Sequence, residues 1–144
     1  MKCKVIIDPS CDERIEIYAK QNLPLVEDIK RLAEGYKTEL IGYKDKEIVP
    51  LDLAEIICIA VISNKVYAIC EKENYLLKER LYVVEAGLPD DFLKINQSCL
   101  ANVKKIKSFD ASISGTLKVH FQNGYTDYVS RRQLKAIKER LGIL

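Results

Sequence analysis

The feature that most constrains the fold is the stretch TLKVHFQNGYTDYVS, residues 116–130. Apolar and polar residues alternate on both sides of Asn123-Gly124, and such alternation places successive side chains on opposite faces of a β-strand. Asn-Gly is the preferred central pair of a two-residue type I′ turn. The stretch therefore predicts a hairpin of two antiparallel strands.

Most of residues 37–144 shows similar strand patterns. TELIGYK and EIVPLDL flank a turn at Lys44-Asp45-Lys46, and the apolar run IICIAVIS at 56–63 is typical of a buried strand. A polar tip, Ser63-Asn64-Lys65, joins this run to VYAICEK, which predicts a second hairpin. A short helix is predicted at about 78–86, where Gly87 and Pro89 follow. The fold class predicted is α+β, predominantly antiparallel β.

Residues 1–36 have a different pattern, which predicts a small β–β–α extension. Residues 4–8 and 14–20 are predicted strands, and residues 24–34 are a predicted helix that stops at Gly35. Three small elements cannot bury the apolar side chains they carry. We therefore expect a dimerisation or regulatory role for residues 1–36, ahead of a main domain at 37–144.

Composition narrows the class of protein. The longest uncharged apolar run, residues 56–63, is far shorter than the roughly 20 residues that span a bilayer, so we expect a cytoplasmic location. The five cysteines form no CxxC pair, and the chain has one histidine. This composition predicts no metal site, no cofactor and reduced thiols.

Charge is distributed unevenly along the chain. Residues 1–91 carry 13 Lys and Arg against 18 Asp and Glu, a balance of −5. Residues 92–144 carry 10 against 3, a balance of +7. A basic C-terminal part of this kind indicates a polyanionic partner.

The sequence carries no recognisable catalytic motif. The sequence has no glycine-rich phosphate loop and no HExxH. A Cys99–His120 pair has no third residue to orient the histidine, so a solvated histidine is the better interpretation. We predict that the chain is not an enzyme and has no small-molecule substrate.

Two arginines at the start of the last helix indicate what the partner is. Ser130 and Gln133 have the spacing of a capping box, so Arg131 and Arg132 occupy the first helical turn. The rest of the helix has an apolar stripe, Leu134, Ile137 and Leu141. Cations at a helix N-terminus oppose the helix dipole by about 0.3–1 kcal/mol each. A phosphate group would reverse this effect, which favours DNA as the partner.

Two segments resemble the signature of LytTR-type DNA-binding domains. They are FLKINQSCLANVKKI at 92–106 and VSRRQLKAIKERLG at 129–142. In that family the first segment reads close to F-x-R-I-H-R-S-Y-L-V-N, and the second contains V-S-R-R. The matching residues are Phe92, Ile95, Ser98, Leu100, Asn102 and Val129 through Arg132. Lys94, Asn96 and Gln97 replace the residues most common in the family.

The resemblance, which extends over roughly residues 38–144, implies an elongated β-fold that inserts loops into successive major grooves. It implies that Gln97 and Arg132 contact bases, together with Asn64 or Lys65. Lys94, Asn96 and Arg131 would then hold the DNA backbone. Ser98 and Asn102 would fix the loop instead of touching DNA.

The function expected is therefore that of a sequence-specific, double-stranded DNA-binding transcription regulator. By resemblance it belongs to the short class that lacks a phospho-receiver domain, binds repeated sites as a homodimer, and in some cases is restrained by a membrane protein. One alternative is a protein-interaction module whose basic surface is incidental. Another is an RNA or single-strand binder, which would need exposed aromatic side chains. Tyr125 and Tyr128 are the nearest candidates, but Tyr128 is expected to pack beside the last helix.

Overall fold

The computed structural model of the chain describes residues 2–35, 39–111 and 115–142. The chain divides into two compact units, Met1–Gly35 and Tyr36–Leu144. The predicted domain boundary at residues 36 and 37 lies outside the described residues. In the described parts of the chain, no helix is long and apolar enough to cross a membrane.

The N-terminal unit contains one helix, α1 (Pro24–Ala33), which confirms the predicted helix. The two strands predicted at residues 4–8 and 14–20 are wrong, because residues 2–23 form no strand in the structure. An isolated pair of short strands is marginally stable in water, and the apolar side chains here have no core to enter. Val5, Ile6 and Ile7 are 77%, 72% and 85% exposed, and α1 has no buried residue.

The second unit is built almost entirely from antiparallel strands. In chain order its elements are β1 (Glu39–Lys44), β2 (Glu47–Asp52), β3 (Ile56–Ile62), β4 (Lys65–Cys70), β5 (Asn74–Leu77), α2 (Leu81–Ala86), β6 (Phe92–Asn96), β7 (Cys99–Asn102), β8 (Ile106–Asp110), β9 (Leu117–Phe121), β10 (Thr126–Val129) and α3 (Arg131–Leu141). Short 3₁₀ turns follow β2 and β7 at Leu53–Glu55 and Val103–Lys105. The predicted fold class is confirmed.

The strands form two sheets. A seven-stranded sheet has the order β2-β1-β5-β4-β3-β7-β6, and a three-stranded sheet has the order β10-β9-β8. Strand β3 lies in the interior of this sheet, between β4 and β7, and all five residues from Ile56 to Ala60 are buried. This explains its continuous apolar run, because a strand covered on both faces has no polar side to alternate.

A separate core covers each face of the large sheet. On one face, α2 contributes Val84, which packs with residues of β1, β3, β4 and β5. On the other face, the three-stranded sheet and α3 contribute Val119, Phe121 and Ile137. Leu134 and Leu141 pack against the same core, so the predicted apolar stripe of α3 is confirmed.

The type I′ turn predicted at Asn123-Gly124 is wrong, although the hairpin itself is formed. Gly124 has a φ of 89°, but Asn123 is not left-handed, whereas a type I′ turn needs both. The Asn123 amide donates to the Cys70 carbonyl at 3.1 Å and its oxygen accepts from the Tyr125 N–H at 3.0 Å. These two bonds hold the asparagine and tie the β9–β10 turn to the end of β4.

Candidate nucleic-acid interface

The β3–β4 hairpin presents Ser63 and Asn64 at its tip. Their φ values are 51° and 64°, and they lie between the paired residues Ile62 and Lys65. Two left-handed residues in a two-residue loop are the geometry of a type I′ turn. Asn64 and Lys65 are both exposed at this tip.

A second turn, Gln97-Ser98, lies at the same end of the large sheet. It joins β6 to β7, and Ala60 near the end of β3 pairs with Cys99 at the start of β7. The Val61 N–H donates to the Ser98 carbonyl at 2.8 Å, which ties the Gln97-Ser98 turn to the end of β3 that leads into the hairpin tip. Gln97 is exposed.

The start of α3 joins these turns. The Ser130 N–H donates to the Ile95 carbonyl at 2.8 Å, so the first residues of α3 lie beside the end of β6. The predicted capping box is wrong, because the Ser130 side chain makes no capping bond. Instead the Gln133 N–H donates to the Ser130 carbonyl at 3.0 Å. Residues 63–65, 97–98 and 130–132 together form what we call the turn end.

Asn96 connects two parts of the turn end through its side chain. Its amide nitrogen donates to the Tyr128 carbonyl at 2.7 Å and to an Asp127 carboxylate oxygen at 3.0 Å. Its amide oxygen accepts from the Ser98 N–H at 2.8 Å. These bonds fix the 97–98 turn against the strand that leads into α3.

Four cations surround the turn end without acidic partners. Lys65, Lys94, Arg131 and Arg132 are exposed, and none forms a salt bridge within the described residues. Two of them stand at a helix N-terminus, where the dipole already adds positive potential. The turn end therefore has a positive potential, which favours an anionic ligand.

At the opposite end of the same unit, two lysines form salt bridges with acidic side chains. We define the far end by residues 71–73, 103–105 and 122–124, which are linked by bonds such as that from the Gln122 N–H to the Lys105 carbonyl at 2.9 Å. Lys104 pairs with Asp91 there at 3.2 Å. Lys44 pairs with Glu73 at 3.0 Å.

All seven predicted site residues thus lie at or beside the turn end: Asn64, Lys65, Lys94, Asn96, Gln97, Arg131 and Arg132. The interpretation of Tyr128 as packed beside α3 is wrong, since its side chain is 46% exposed. The Lys118 Nζ lies 5.7 Å from the centre of its ring. Tyr128 points outward because it precedes the buried Val129 in β10, and successive side chains of a strand point to opposite faces.

Residues 46–142 match the family described as the LytTr DNA-binding domain. The chain belongs to this family. Because the match covers most of the second unit, the turn end lies within the LytTr domain. The N-terminal unit precedes the matched residues.

Similar proteins include transcription regulators and a solved LytTr domain. Two of them are uncharacterised HTH-type transcriptional regulators of Staphylococcus aureus, from strains NCTC 8325 / PS 47 and bovine RF122 / ET3-1. Each is 38% identical to this chain over 104 residues, which cover 72% of this chain and 71% of the relative. A LytTr DNA-binding domain from Bacillus cereus superposes with a TM-score of 0.70 at 22% identity, covering 74% of this chain and 99% of that one. This superposition shows that the two chains share the same fold.

The helices of the LytTr domain are not arranged as a helix-turn-helix. A DNA-binding helix-turn-helix joins two helices by a turn of three to four residues. Here α2 ends at Ala86, α3 starts at Arg131, and five strands lie between them. The turns and the first turn of α3 are therefore the candidates for base contact.

The alternative of catalysis by Cys99 and His120 finds no support in the geometry. Cys99 is fully buried between the sheets, and its hydrogen bond to Cys58 and its burial raise the pKa of its thiol. His120 alternates with the buried Val119 and Phe121, so it lies on the outer face of the small sheet. No group of three or more potential metal ligands occurs in the described parts of the chain.

Proposed function

We propose that the chain is a transcription regulator that binds double-stranded DNA sequence-specifically and reads the major groove with the turn end. The observation that carries this proposal is that three exposed, polar segments lie at one end of the second unit. The Ser98 carbonyl accepts from the Val61 N–H of β3, and the Ser130 N–H donates to the Ile95 carbonyl of β6. Membership of the LytTr DNA-binding domain family supports DNA as the ligand.

The shape of the turn end suits a major groove. That groove is about 12 Å wide and about 8.5 Å deep, and it admits a two-stranded β-ribbon. The β3–β4 hairpin is such a ribbon, and its exposed tip carries Asn64 and Lys65. The 97–98 turn and the start of α3 then meet the same duplex at neighbouring positions.

The side chains divide into two roles. Gln97 and Arg132 contact bases, because Gln and Arg can make bidentate bonds to adenine and guanine respectively. Asn64 or Lys65 adds a base contact from the hairpin tip. Lys94 and Arg131 hold phosphates, which position the protein but carry no sequence information.

Asn96 has a positioning role in this proposal instead of the phosphate contact expected from the sequence. Its amide nitrogen and oxygen are all engaged inside the domain, by Asp127, Tyr128 and Ser98. A side chain whose donors and acceptor are used in this way sets the relative position of the base-contacting segments.

Pairs of chains bind repeated sites on one duplex, and residues 1–36 form a separate extension with a dimerisation or regulatory role. The exposed Ile6, Ile7 and Leu32 support a partner for that extension, since they are 67–85% exposed. Because the proposed partner is DNA, we also propose a cytoplasmic location for the protein.

The test is selection of bound sequences from a random duplex pool, followed by footprinting of the best site. We expect one consensus and a footprint on two successive major-groove segments. Enrichment of no consensus would contradict sequence-specific binding.

A single-strand or RNA binder is the second candidate, because Tyr128 is exposed beside the turn end and could stack on a base. Competition with single strands and RNA of the selected sequence separates the two. Displacement of the duplex at equal concentration of single strand would favour the second candidate.

A further inference from the structure

Two exposed cations, Lys78 and Arg80, follow strand β5 where the chain leaves the large sheet for α2. Neither forms a salt bridge within the described residues. The register of β4 and β5 pairs Val66 with Leu77. Continuing this register by one residue places Lys78 beside Lys65, at the base of the hairpin tip. The end of β5 therefore lies at the same end of the sheet as the turn end.

The neighbouring Lys65 and Lys78 repel each other. Cross-strand neighbours share one face of a sheet, and like charges directly opposite each other are destabilising. The Lys78 Nζ lies over β1 instead, 4.0 Å from the centre of the Tyr43 ring, where attraction to the ring partly offsets the repulsion. The ammonium group keeps its charge in this contact. A phosphate bound beside the two lysines would remove the repulsion, as it would for the arginines at the start of α3.

The main chain of Arg80 is fixed, while its guanidinium group has no partner among the described residues. The Arg80 carbonyl accepts from the Val83 N–H at 3.0 Å and from the Val84 N–H at 3.1 Å. The Arg80 side chain makes no capping bond to α2. Leu77 and Val84, on either side of it, are buried in the same core. A fixed main chain lowers the entropy cost of binding a phosphate through the guanidinium group.

The size of the major groove decides what the end of β5 meets. The groove admits a two-stranded ribbon, and β3–β4 is the ribbon that enters it in the proposed function. Strand β5 lies beside β4 as a third strand, about 4.8 Å further on, so it stays outside the groove. The duplex carries one negative charge per about 1.7 Å of helix axis along the backbone that borders the groove. The end of β5 then faces phosphates instead of bases.

The strands beyond β5 carry the opposite charge at this end of the sheet. Strand β1 begins at Glu39 and β2 ends at Asp52, and these two exposed residues are aligned across the strand pair. Carboxylates repel a phosphate backbone, so β5 is the last strand on this side that suits contact with DNA. The change of sign limits the contact to Lys78 and Arg80.

We propose that Lys78 and Arg80, which we call the β5 site, bind phosphates that border the major groove entered by the hairpin tip, on the side away from α3. Arg80 binds through two guanidinium N–H groups, and Lys78 contributes a point charge. The β5 site carries no base information, but it fixes the position of the hairpin tip in its groove, a role that rests on the proposed function.

The first test measures the affinity of the full chain for the selected duplex and for a scrambled duplex over a range of salt concentrations. Arg80→Ala should weaken binding to both by a similar factor, about three- to tenfold, and reduce the magnitude of the salt slope by about 1, as expected for a lost phosphate contact. Lys78→Ala should weaken both by about two- to threefold. Arg80→Lys should keep the parent's salt slope, because the charge remains.

Lys72→Ala is the matched control. Lys72 is exposed at the far end and forms no salt bridge within the described residues, so this variant removes the same charge from the other end of the unit. It should change duplex affinity less than about twofold and leave the salt slope unaltered. Losses no larger for Arg80→Ala and Lys78→Ala than for Lys72→Ala would overturn the β5 site.

Ethylation of single phosphates in the selected duplex locates the contact. Ethylation at the phosphates that Arg80 binds should weaken binding of the parent, and this interference should disappear in Arg80→Ala while interference elsewhere remains. The base position read by Arg132 marks the α3 side of the footprint, so the affected phosphates should lie at the opposite end. Loss of interference on the α3 side instead would overturn the assignment.

Failure of the β5 site and failure of the proposed function give different results. A parent with equal affinity for the selected and scrambled duplexes would refute sequence-specific reading, yet the comparison of Arg80→Ala with Lys72→Ala on the scrambled duplex would still decide the β5 site. A parent that discriminates between the duplexes, with Arg80→Ala equal in affinity to Lys72→Ala, would overturn the β5 site alone.

Discussion

The two ends of the second unit both carry basic side chains, but they differ in how many of these side chains have acidic partners among the described residues. At the far end, Lys104 is bonded to Asp91 at 3.2 Å and Lys44 to Glu73 at 3.0 Å. At the turn end, Arg131 and Arg132 are exposed beside a helix N-terminus with no salt bridge among the described residues.

This difference shows why a count of charges is a poor guide to a binding surface. The basic balance of residues 92–144 includes Lys104 and Lys105 as well as the two arginines. Exposed ion pairs contribute little to stability, about 0–1 kcal/mol, but they neutralise the field that a polyanion would feel. Cations held close together without partners keep that field, which supports the turn end as the proposed interface.

The largest expected effect is that of Arg132→Ala. Loss of one bidentate base contact should weaken binding to the selected duplex by about 1–3 kcal/mol, or roughly 5- to 150-fold, and flatten the preference at one base position. Binding measured on a panel of single-base variants of the site checks this. Equal discrimination by Arg132→Ala and the parent would show that Arg132 does not contact a base.

A smaller effect is expected of Asn96→Ala, which removes the bonds to Asp127, Tyr128 and Ser98. Each such bond is worth about 0.5–1.5 kcal/mol, so unfolding by urea should show a loss of about 1–3 kcal/mol. Binding to the selected site should weaken as well, because the 97–98 turn loses its anchor. Ser108→Ala, an exposed change on β8, is the control. Stability equal to that of the parent would mean that the Asn96 bonds contribute nothing.

The next effect in size is expected on the salt dependence of DNA binding. Contact with four to six phosphates predicts a slope of log K against log[salt] of about −4 to −5. Arg131→Ala should reduce the magnitude of that slope by about 1 and weaken all duplexes equally, as expected for a lost phosphate contact. A steeper loss on the selected site than on scrambled duplexes would give Arg131 a base contact instead.

The smallest effect is expected of Lys104→Ala. Lys104 contributes to the basic balance of residues 92–144, but it lies at the far end in a salt bridge. Its removal should change duplex affinity less than twofold and leave the salt slope unaltered. A loss as large as that of Arg131→Ala would extend the interface to the far end.

Much of the LytTr domain could be predicted from the sequence, because its signals are local. The apolar run at 56–63 identified the buried strand β3, and the period of Leu134, Ile137 and Leu141 identified α3. The N-terminal strands and the type I′ turn at Asn123-Gly124 could not be predicted in this way. A strand requires a pairing partner, and the Asn123 conformation is set by bonds to Cys70 and Tyr125.

The candidate site was predictable in its residue types but not in its internal organisation. The arginines conflict with the helix dipole, and that conflict is visible in the sequence. The role of Asn96 is not visible there, since it depends on contacts with residues 31 and 32 positions away. The exposure of Tyr128 follows from alternation, which could have been applied to it once Val129 was assigned to the core.

The most direct test compares two double variants on the selected and a scrambled duplex. Gln97→Ala with Arg132→Ala alters the turn end, and Lys104→Ala with Lys105→Ala removes two positive charges from the far end. We predict that the first pair lowers the ratio of the two affinities at least tenfold and that the second leaves it within twofold of the parent. Equal ratios for both double variants would contradict the assignment of sequence reading to the turn end.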